Sequence, residues 1–255
     1  MKRITNKILR KPTVEAEWTK PFDYSELIRA IKLLPNNKSA GPDKIHPRLL
    51  KNLGEVAQRS LLNLYNKSWQ NSTVPQMWRR ADLRPVPKRG KDLSKIESHR
   101  PISLTSFVSK LMERLIVNRL NFHLESNNIL SDHQTGFRSR RSTEDQIIRL
   151  SQWISDKFHQ KPMHRTLLGL LDFSKAYDTV WKDGLIHKLC ELGLPPTFIR
   201  WIQSWLSNRL NFVTTNGCSS KTSVFKEGVP QGSVLSPVLF LLYINDITEK
   251  IPSHS

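Results

Sequence analysis

The feature that most restricts how this chain can fold is an unbroken apolar run, Leu167 to Leu171, which ends at Asp172. A short run without polar alternation is typical of a strand that is buried on both faces. The pattern therefore predicts a buried strand with a carboxylate at its tip. A second acid, Asp178, follows after a segment that is expected to turn into a helix.

From the residues alone, Asp172 has two possible roles. A carboxylate at the end of a strand can hold Mg²⁺, a hard cation that takes a few oxygen ligands from protein and the rest from water and phosphate. The alternative is that Asp172 caps the following helix, which is the commoner role of an aspartate in such a place. The residues by themselves leave both roles open.

The other hydrophobic patterns predict an α+β fold in which helices outnumber strands. Apolar residues recur at helical spacing in six segments, and Gly, Pro and Asn clusters separate them. Two strand-like pieces flank a basic loop between Arg79 and Arg100, which predicts a charged hairpin. Helices are expected near 27–34, 47–69, 107–125, 143–158, 185–192 and 198–206, strands near 212–225, and a buried helix after a Gly-Pro turn at 228–232.

The charge of the chain predicts a polyanionic partner. The 255 residues contain 40 Lys and Arg against 22 Asp and Glu, a formal net charge of +18. Such a field attracts phosphate backbones, although ribosomal proteins, histone-like proteins and lipid-surface binders are also basic. Cys190 and Cys218 lie in no zinc-ligand pattern, which favours a reducing compartment.

The termini and the longest apolar run predict an intracellular protein, in the nucleus or the cytoplasm. The basic start MKRITNKILRK is not followed by the apolar segment of a signal peptide, so secretion is not expected. The run from Val234 to Ile244 is too short for a membrane span, which needs roughly 20 residues. We therefore expect no membrane partner.

Four segments together resemble the reverse transcriptases of non-long-terminal-repeat (LINE/jockey-like) retrotransposons. The similarity extends from about Ala40 to the last residues, and the segments occur in the family's order. It implies a right-hand polymerase with mostly helical fingers, a β-hairpin and an incomplete antiparallel palm sheet. A basic and helical region over 1–70 would precede the polymerase domain at 71–255. The segments are RPVPKRGKDLSKIESHRPISLTSFVSKLMERL, HQTGFRSRRSTEDQI, LLDFSKAYDTVW and GVPQGSVLSPVLFLLYIND.

The resemblance assigns the catalytic and metal-binding roles to the acidic motif. Asp172 matches the aspartate that holds two Mg²⁺ ions, and Phe173 would add its backbone carbonyl. Tyr177 matches the residue that lies under the sugar and excludes a 2′-hydroxyl; a core aromatic is the alternative. Asp178 is interpreted as structural, and Asp246 as part of a helix cap rather than a catalytic aspartate.

The resemblance also predicts contacts to the nucleotide and the template. Lys88 and Arg100 match the cations that grip the triphosphate, although solvated surface cations are the general alternative. Gln231 and Gly232 would contact the nucleotide, since glycine permits close backbone approach and an amide both donates and accepts. Template contacts are predicted for Arg138, Arg141 and Pro230.

The implied reaction is RNA-directed DNA synthesis, in which a primer 3′-hydroxyl attacks a deoxynucleoside triphosphate at a two-metal site. The family places its paired aspartates after the YIND segment, and Ser255 is reached before such a pair, so we expect this chain by itself to be inactive. One alternative is a non-catalytic RNA-binding protein derived from the same fold. A maturase-like splicing factor is a weaker one, because no intron-specific binding region is recognised.

Overall fold

The structure is a computed structural model that describes residues 17–161 and 165–247, and these residues form an α+β fold, as predicted. They contain eight α-helices and five strands. The helices are α1 Tyr24–Lys32, α2 Pro47–Lys51, α3 Glu55–Gln70, α4 Phe107–Ser126, α5 Thr143–His159, α6 Lys182–Glu191, α7 Pro196–Leu206 and α8 Ser236–Tyr243; the strands are β1 Arg80–Pro87, β2 His99–Thr105, β3 Leu210–Thr215, β4 Cys218–Ser219 and β5 Ser223–Val224.

The sheet is mixed, which corrects the prediction of an antiparallel one. Strands β1 and β2 form the predicted hairpin, with Ala81 opposite Thr105 and Pro87 opposite His99. Strand β3 then lies parallel to β1, and β4 and β5 pair antiparallel with β3. Parallel neighbours need a long crossover connection, and the chain between β1 and β3 supplies one through α4 to α7.

The predicted buried strand over Leu167–Leu171 does not form. These residues have no regular secondary structure, and Leu167, Leu170 and Leu171 are 96%, 87% and 92% exposed. The described part of the chain offers no neighbouring strand to this segment, and a strand without partners leaves its backbone groups unpaired. The prediction of a buried strand is therefore wrong here, because an apolar run is buried only where a second surface covers it.

Most of the predicted helices are confirmed, with one correction. The expected helix over 47–69 is two helices, because the chain leaves the helical path at Asn52 and resumes at Gly54, which is the N-cap of α3. Both residues have low helix propensity. Helix α4 begins where predicted because the Ser106 hydroxyl accepts hydrogen bonds from the backbone N–H groups of Val108 and Ser109.

One hydrophobic core joins residues from both sides of the predicted boundary at residue 70. Trp69 of α3 lies 6.2 Å from Trp201 of α7, ring centre to ring centre, and its indole N–H donates to the carbonyl of Thr19. Trp18 lies 5.3 Å from Phe198 of α7. The division at residue 70 stays a prediction. None of the described helices has the length and apolar character needed to cross a membrane.

Candidate functional site

A cavity of about 710 Å³ opens between the β1–β2 hairpin, β3 and the turn that precedes α8. The segments that form it are far apart in sequence, and the segment from Lys175 to Lys182 closes one side. Its lining is rich in cations, with fewer acids. The charged lining residues are Lys88, Arg100, Lys175, Lys182, Arg209, Glu97, Asp178 and Glu227.

Four of the predicted contact residues line this cavity: Lys88, Arg100, Pro230 and Gln231. The Lys88 ammonium group donates to the carbonyl of Glu97 at 2.7 Å, which holds it across the hairpin loop. Arg100 is exposed, and its side chain has no hydrogen-bond or ion-pair partner among the described residues. Its guanidinium group is therefore available to an anion that enters the cavity.

The turn at residues 228–232 approaches its neighbours so closely that only glycine fits at both ends. Gly228 has φ +85° and Gly232 has φ +124°. A Cβ atom would lie 2.7 Å from the Asp178 carbonyl oxygen at Gly228, and 2.7 Å from the Ser103 carbonyl oxygen at Gly232. The Ser103 N–H also donates to the Gln231 carbonyl at 2.7 Å. Gly228 thus lets the turn dock on the Asp178 backbone, and Gly232 lets it dock on strand β2.

Arg209 lies at the back of the cavity and was not singled out from the sequence. Its side chain is nearly completely buried, and desolvation lowers the pKa of Arg209 to about 10, although the Glu113 carboxylate acts in the opposite direction. The guanidinium group lies 4.8 Å from the ring centre of Trp205 and donates to its carbonyl at 3.0 Å. The Nε and Nη2 atoms have no partner within the described structure. Arg209 is a single arginine between a helix and a strand, and no sequence pattern marks such a residue as part of a site.

Asp172, Phe173 and Tyr177 do not line the cavity. Asp172 is exposed, in the segment that fails to form a strand. Phe173 and Tyr177 pack against Phe240 of α8, at 6.1 and 5.5 Å between ring centres, and burial raises the pKa of Tyr177. This environment favours the core-aromatic interpretation of Tyr177 in this conformation.

Asp178 lines the cavity instead, although the sequence favoured a structural role for it. Desolvation raises the pKa of the Asp178 carboxyl group, while the nearby charge of Lys175 opposes the shift. The backbone carbonyl of Asp178 also faces Gly228 across the tight turn. Asp178 thus combines a structural contact with a position at the cavity wall.

The described residues do not by themselves fit a two-metal site. Residues 17–161 and 165–247 contain no group of three or more His, Cys, Asp or Glu side chains that could hold a metal ion. Asp172 offers one carboxylate and Phe173 one carbonyl, whereas two Mg²⁺ ions need several oxygen ligands. No catalytic step through metal ions is derived from this geometry.

The environment of Arg138 favours a structural role over the predicted template contact. Its guanidinium group forms a bidentate pair with Glu125, with the shorter bond at 2.7 Å, and donates to the carbonyls of Ser131 and Gln134. The side chain is only 4% exposed. Arg141 is more accessible and pairs with Asp132 at 2.7 Å. Template contact by either residue stays a prediction.

The Asn245-Asp246 pair holds neighbouring segments together rather than capping its own helix, which ends at Tyr243 with Ile244 as its C-cap. The Asn245 side chain accepts from the Ser131 N–H and donates to the Ile129 carbonyl. Asp246 forms an ion pair with Lys188 of α6. The prediction that these residues are not the catalytic pair is consistent with these contacts.

Comparison with known proteins relates this fold to polymerases of mobile elements. Residues 86–255 match the family model described as reverse transcriptase (RNA-dependent DNA polymerase). The chain is 39% identical over 228 residues to "Probable RNA-directed DNA polymerase from transposon BS" of Drosophila melanogaster. This alignment covers 89% of this chain and 25% of that protein. It is 30% identical over 248 residues to the RNA-directed DNA polymerase from mobile element jockey of the same species, covering 94% and 27%.

The chain therefore spans about a quarter of the length of these curated relatives. Among solved structures, a partial Cas6-RT-Cas1–Cas2 complex aligns with a TM-score of 0.48 and 17% sequence identity, over 96% of this chain and 36% of that chain.

Proposed function

The chain belongs to the reverse transcriptase family, in the branch carried by non-long-terminal-repeat retrotransposons, and we propose that its cavity binds the deoxynucleoside triphosphate used in RNA-directed DNA synthesis. The observation that carries this proposal is the convergence of Lys88, Arg100 and Gln231 on one cavity. These residues come from the β1–β2 hairpin and from the turn before α8, two segments far apart in sequence, and the family resemblance assigns nucleotide contacts to all three.

The charges of the cavity suit a triphosphate. Arg100 presents a planar fork of donors without a competing partner, and Lys88 adds a compact charge on the same hairpin. Arg209 adds a buried positive charge behind them, where low dielectric strengthens its field. Such an arrangement offsets the negative charge that a triphosphate brings and that develops during phosphoryl transfer.

The remaining parts of the proposal concern the metal ions, the sugar and the partners. The family generally uses divalent metal ions, and Asp172 would contribute one carboxylate to Mg²⁺ in the whole protein. Tyr177 would select deoxynucleotides if its ring faced the sugar. An RNA template and a DNA primer would bind to the basic surface, inside the cell. The whole protein would then act as an RNA-directed DNA polymerase.

Equilibrium binding of a deoxynucleoside triphosphate to the chain tests the cavity assignment. We expect Arg100→Ala to weaken binding about tenfold, since a hydrogen bond to a charged group contributes roughly 1.5–3 kcal/mol. Lys91→Ala is the matched control, because Lys91 is an exposed cation of the same hairpin loop that lies outside the cavity. We expect its effect to be within about twofold, as for most surface substitutions.

Equal losses of nucleotide affinity in Arg100→Ala and Lys91→Ala would show that binding depends on net charge alone. That result would contradict the cavity assignment. Undetectable binding by the unmodified chain would remove the proposal for this chain and favour a basic RNA-binding protein.

Primer extension tests the proposed catalytic role of Asp172 in the protein that carries this domain. On a poly(rA) template with an oligo(dT) primer, we expect Asp172→Asn to abolish deoxynucleotide incorporation. Its thermal unfolding should be unchanged, because the carboxylate is exposed and has no hydrogen-bond or ion-pair partner within the described residues. Incorporation at the unmodified rate by Asp172→Asn would exclude this residue as a catalytic group.

A further inference from the structure

Glu113 of α4 is a completely buried carboxylate that no part of the proposed function has used. Its Oε1 atom accepts from the Ser109 hydroxyl at 3.0 Å and the Trp205 indole N–H at 3.2 Å. Its Oε2 atom accepts from the Ser233 hydroxyl at 2.6 Å and the Val234 backbone N–H at 2.9 Å. Burying a charge is costly unless its hydrogen bonds are satisfied, and all four of these contacts bring a donor to it.

Two of these contacts fix the end of the turn that carries Gln231. Ser233 and Val234 directly follow Gly232, and the Ser233 hydroxyl also accepts from the Leu235 N–H. The other attachments of the turn are backbone hydrogen bonds, at Ser103 on strand β2 and in the segment 177–180, and a hydrogen bond from the Ser236 hydroxyl of α8 to the Pro230 carbonyl at 2.8 Å. Among the described hydrogen bonds, Glu113 is thus the side chain from a segment distant in sequence that anchors residues 233–234, whereas Ser236 belongs to the helix that directly follows the turn.

The remaining long-range contact connects Glu113 to the back wall of the cavity. The Trp205 indole that donates to Glu113 lies under the guanidinium group of Arg209, and the Trp205 carbonyl accepts from Arg209 Nη1. A displacement of the indole would therefore displace Arg209. One carboxylate supports both the Gln231 wall and the Arg209 wall.

We propose that Glu113 is a positioning residue for nucleotide binding, which holds Gln231 and Arg209 at their places in the cavity through Ser233 and Trp205. The inference rests on the proposed function, because it names a further requirement of the same cavity. Glu113 itself does not line the cavity.

The hydrogen-bond pattern requires a carboxylate and excludes an amide of the same shape. Each oxygen faces one obligate N–H donor, from Trp205 on one side and from Val234 on the other. A glutamine offers one oxygen and one NH₂ group, and NH₂ only donates. In either orientation of the amide, its NH₂ group would face an N–H group and one anchor would be lost.

This reasoning predicts a specific rescue. In Glu113→Gln, we expect deoxynucleoside triphosphate binding about tenfold weaker, the order of magnitude for losing one hydrogen bond to a charged group. The same variant should show faster amide hydrogen exchange at residues 231–235. Adding Trp205→Phe removes the indole donor, so the NH₂ group can face the Ser109 hydroxyl, which is able to accept. The double variant should slow the exchange at 231–235 again, whereas its affinity should stay low, because the indole that lies under Arg209 is absent.

The controls separate a positioning effect from general destabilisation. Glu144→Gln removes an exposed carboxylate at the start of α5 and should change neither measurement. Ser233→Ala deletes one of the two contacts between Glu113 and the turn without burying a new donor, and it should accelerate exchange at 231–235. This variant keeps the inference testable even where Glu113→Gln does not fold. Affinity for single-stranded RNA should be the same in all variants, because the surface cations are unchanged.

Exchange at 231–235 that stays fast in the double variant, or that is unchanged in both Glu113→Gln and Ser233→Ala, would overturn the inference. Failure of the unmodified chain to bind nucleotide would overturn the proposed function instead. The exchange rates and their rescue would still decide whether Glu113 holds the turn.

Discussion

Two apolar segments that carry family motifs differ in burial in this fold. The segment around Leu167–Leu171 is exposed, whereas the segment that begins with the glycine turn and continues into α8 is buried, with Leu235 and Leu239 both 0% exposed. Their apolar character is similar. The difference shows that burial depends on which surfaces the rest of the chain presents to each segment, since a hydrophobic residue gains free energy only when apolar area is removed from water.

The backbone contacts of the two segments differ in the same way. In the turn, the Gly228 N–H donates to the Val180 carbonyl and the Val229 N–H to the Tyr177 carbonyl, both at 2.8 Å. Residues 167–171 make no backbone hydrogen bond within the described structure. The turn and α8 are therefore held by both packing and hydrogen bonds, and residues 167–171 by neither.

Truncating one leucine in each segment gives the largest expected contrast. Leu239→Ala should lower the free energy of unfolding by about 2–5 kcal/mol, because it leaves a cavity in the core. Leu170→Ala, at an 87% exposed position, should change it by less than about 0.5 kcal/mol. Urea unfolding followed by circular dichroism measures both. Comparable losses of stability in the two variants would mean that residues 167–171 are buried in solution.

A glycine substitution in each segment sharpens the contrast at the level of the backbone. Gly232→Ala places a Cβ atom 2.7 Å from the Ser103 carbonyl oxygen at φ +124°. We expect a loss of about 1–3 kcal/mol, the usual cost of such backbone strain. Gly169→Ala meets no atom within 4 Å and should be neutral, or stabilising by up to about 1 kcal/mol through the unfolded state. Thermal unfolding of the pair distinguishes the two environments.

The smallest expected effect is the pH dependence of Asp178, which follows the first segment in sequence and whose backbone lies against Gly228 of the second. Desolvation raises its pKa above the ordinary value of 3.8, so the folded state binds this proton more tightly than the unfolded state. Its contribution to stability is present at low pH and is lost as the pH rises through the folded pKa. The stability of Asp178→Asn relative to the unmodified chain should therefore increase as the pH rises from below 3.8.

Glu125→Gln provides a control of opposite sign for this titration. The hydrogen bond from Arg138 lowers the pKa of Glu125, so its stabilising contribution is present at neutral pH and is lost as the pH falls through the folded pKa. Urea unfolding at a series of pH values measures both differences. A flat difference for Asp178→Asn would show that its carboxyl group is fully hydrated in solution.

The local elements were the most predictable part of the fold. The hairpin, α4 and α5 follow from periodicity and from caps such as Ser106, since these depend on residues close in sequence. The break at Asn52–Gly54 was missed because long apolar periodicity on both sides concealed two residues of low helix propensity. The parallel pairing of β3 with β1 was missed because it depends on a crossover through four helices.

The candidate site was predictable only where a motif carried it. Lys88, Arg100 and Gln231 were found through resemblance, and the fold brings them to one cavity. Arg209 and Glu113 were not found, because a single buried charge inside an ordinary helix or loop has no sequence signature. The position of Asp172 outside the cavity was not predicted either. The strand expected before Asp172 has no partner strand among the described residues, and an apolar run does not reveal whether a partner is present.

The sequence by itself determined the family, the helices and the side chains available for phosphate binding, because motifs and periodicity are properties of neighbouring residues. The tertiary structure alone decided which apolar run is buried, which charged groups lose their water, and how Glu113 connects the turn to Arg209. Burial, desolvation and long-range hydrogen bonds depend on surfaces that come together only when distant segments pack, and no local pattern contains that information.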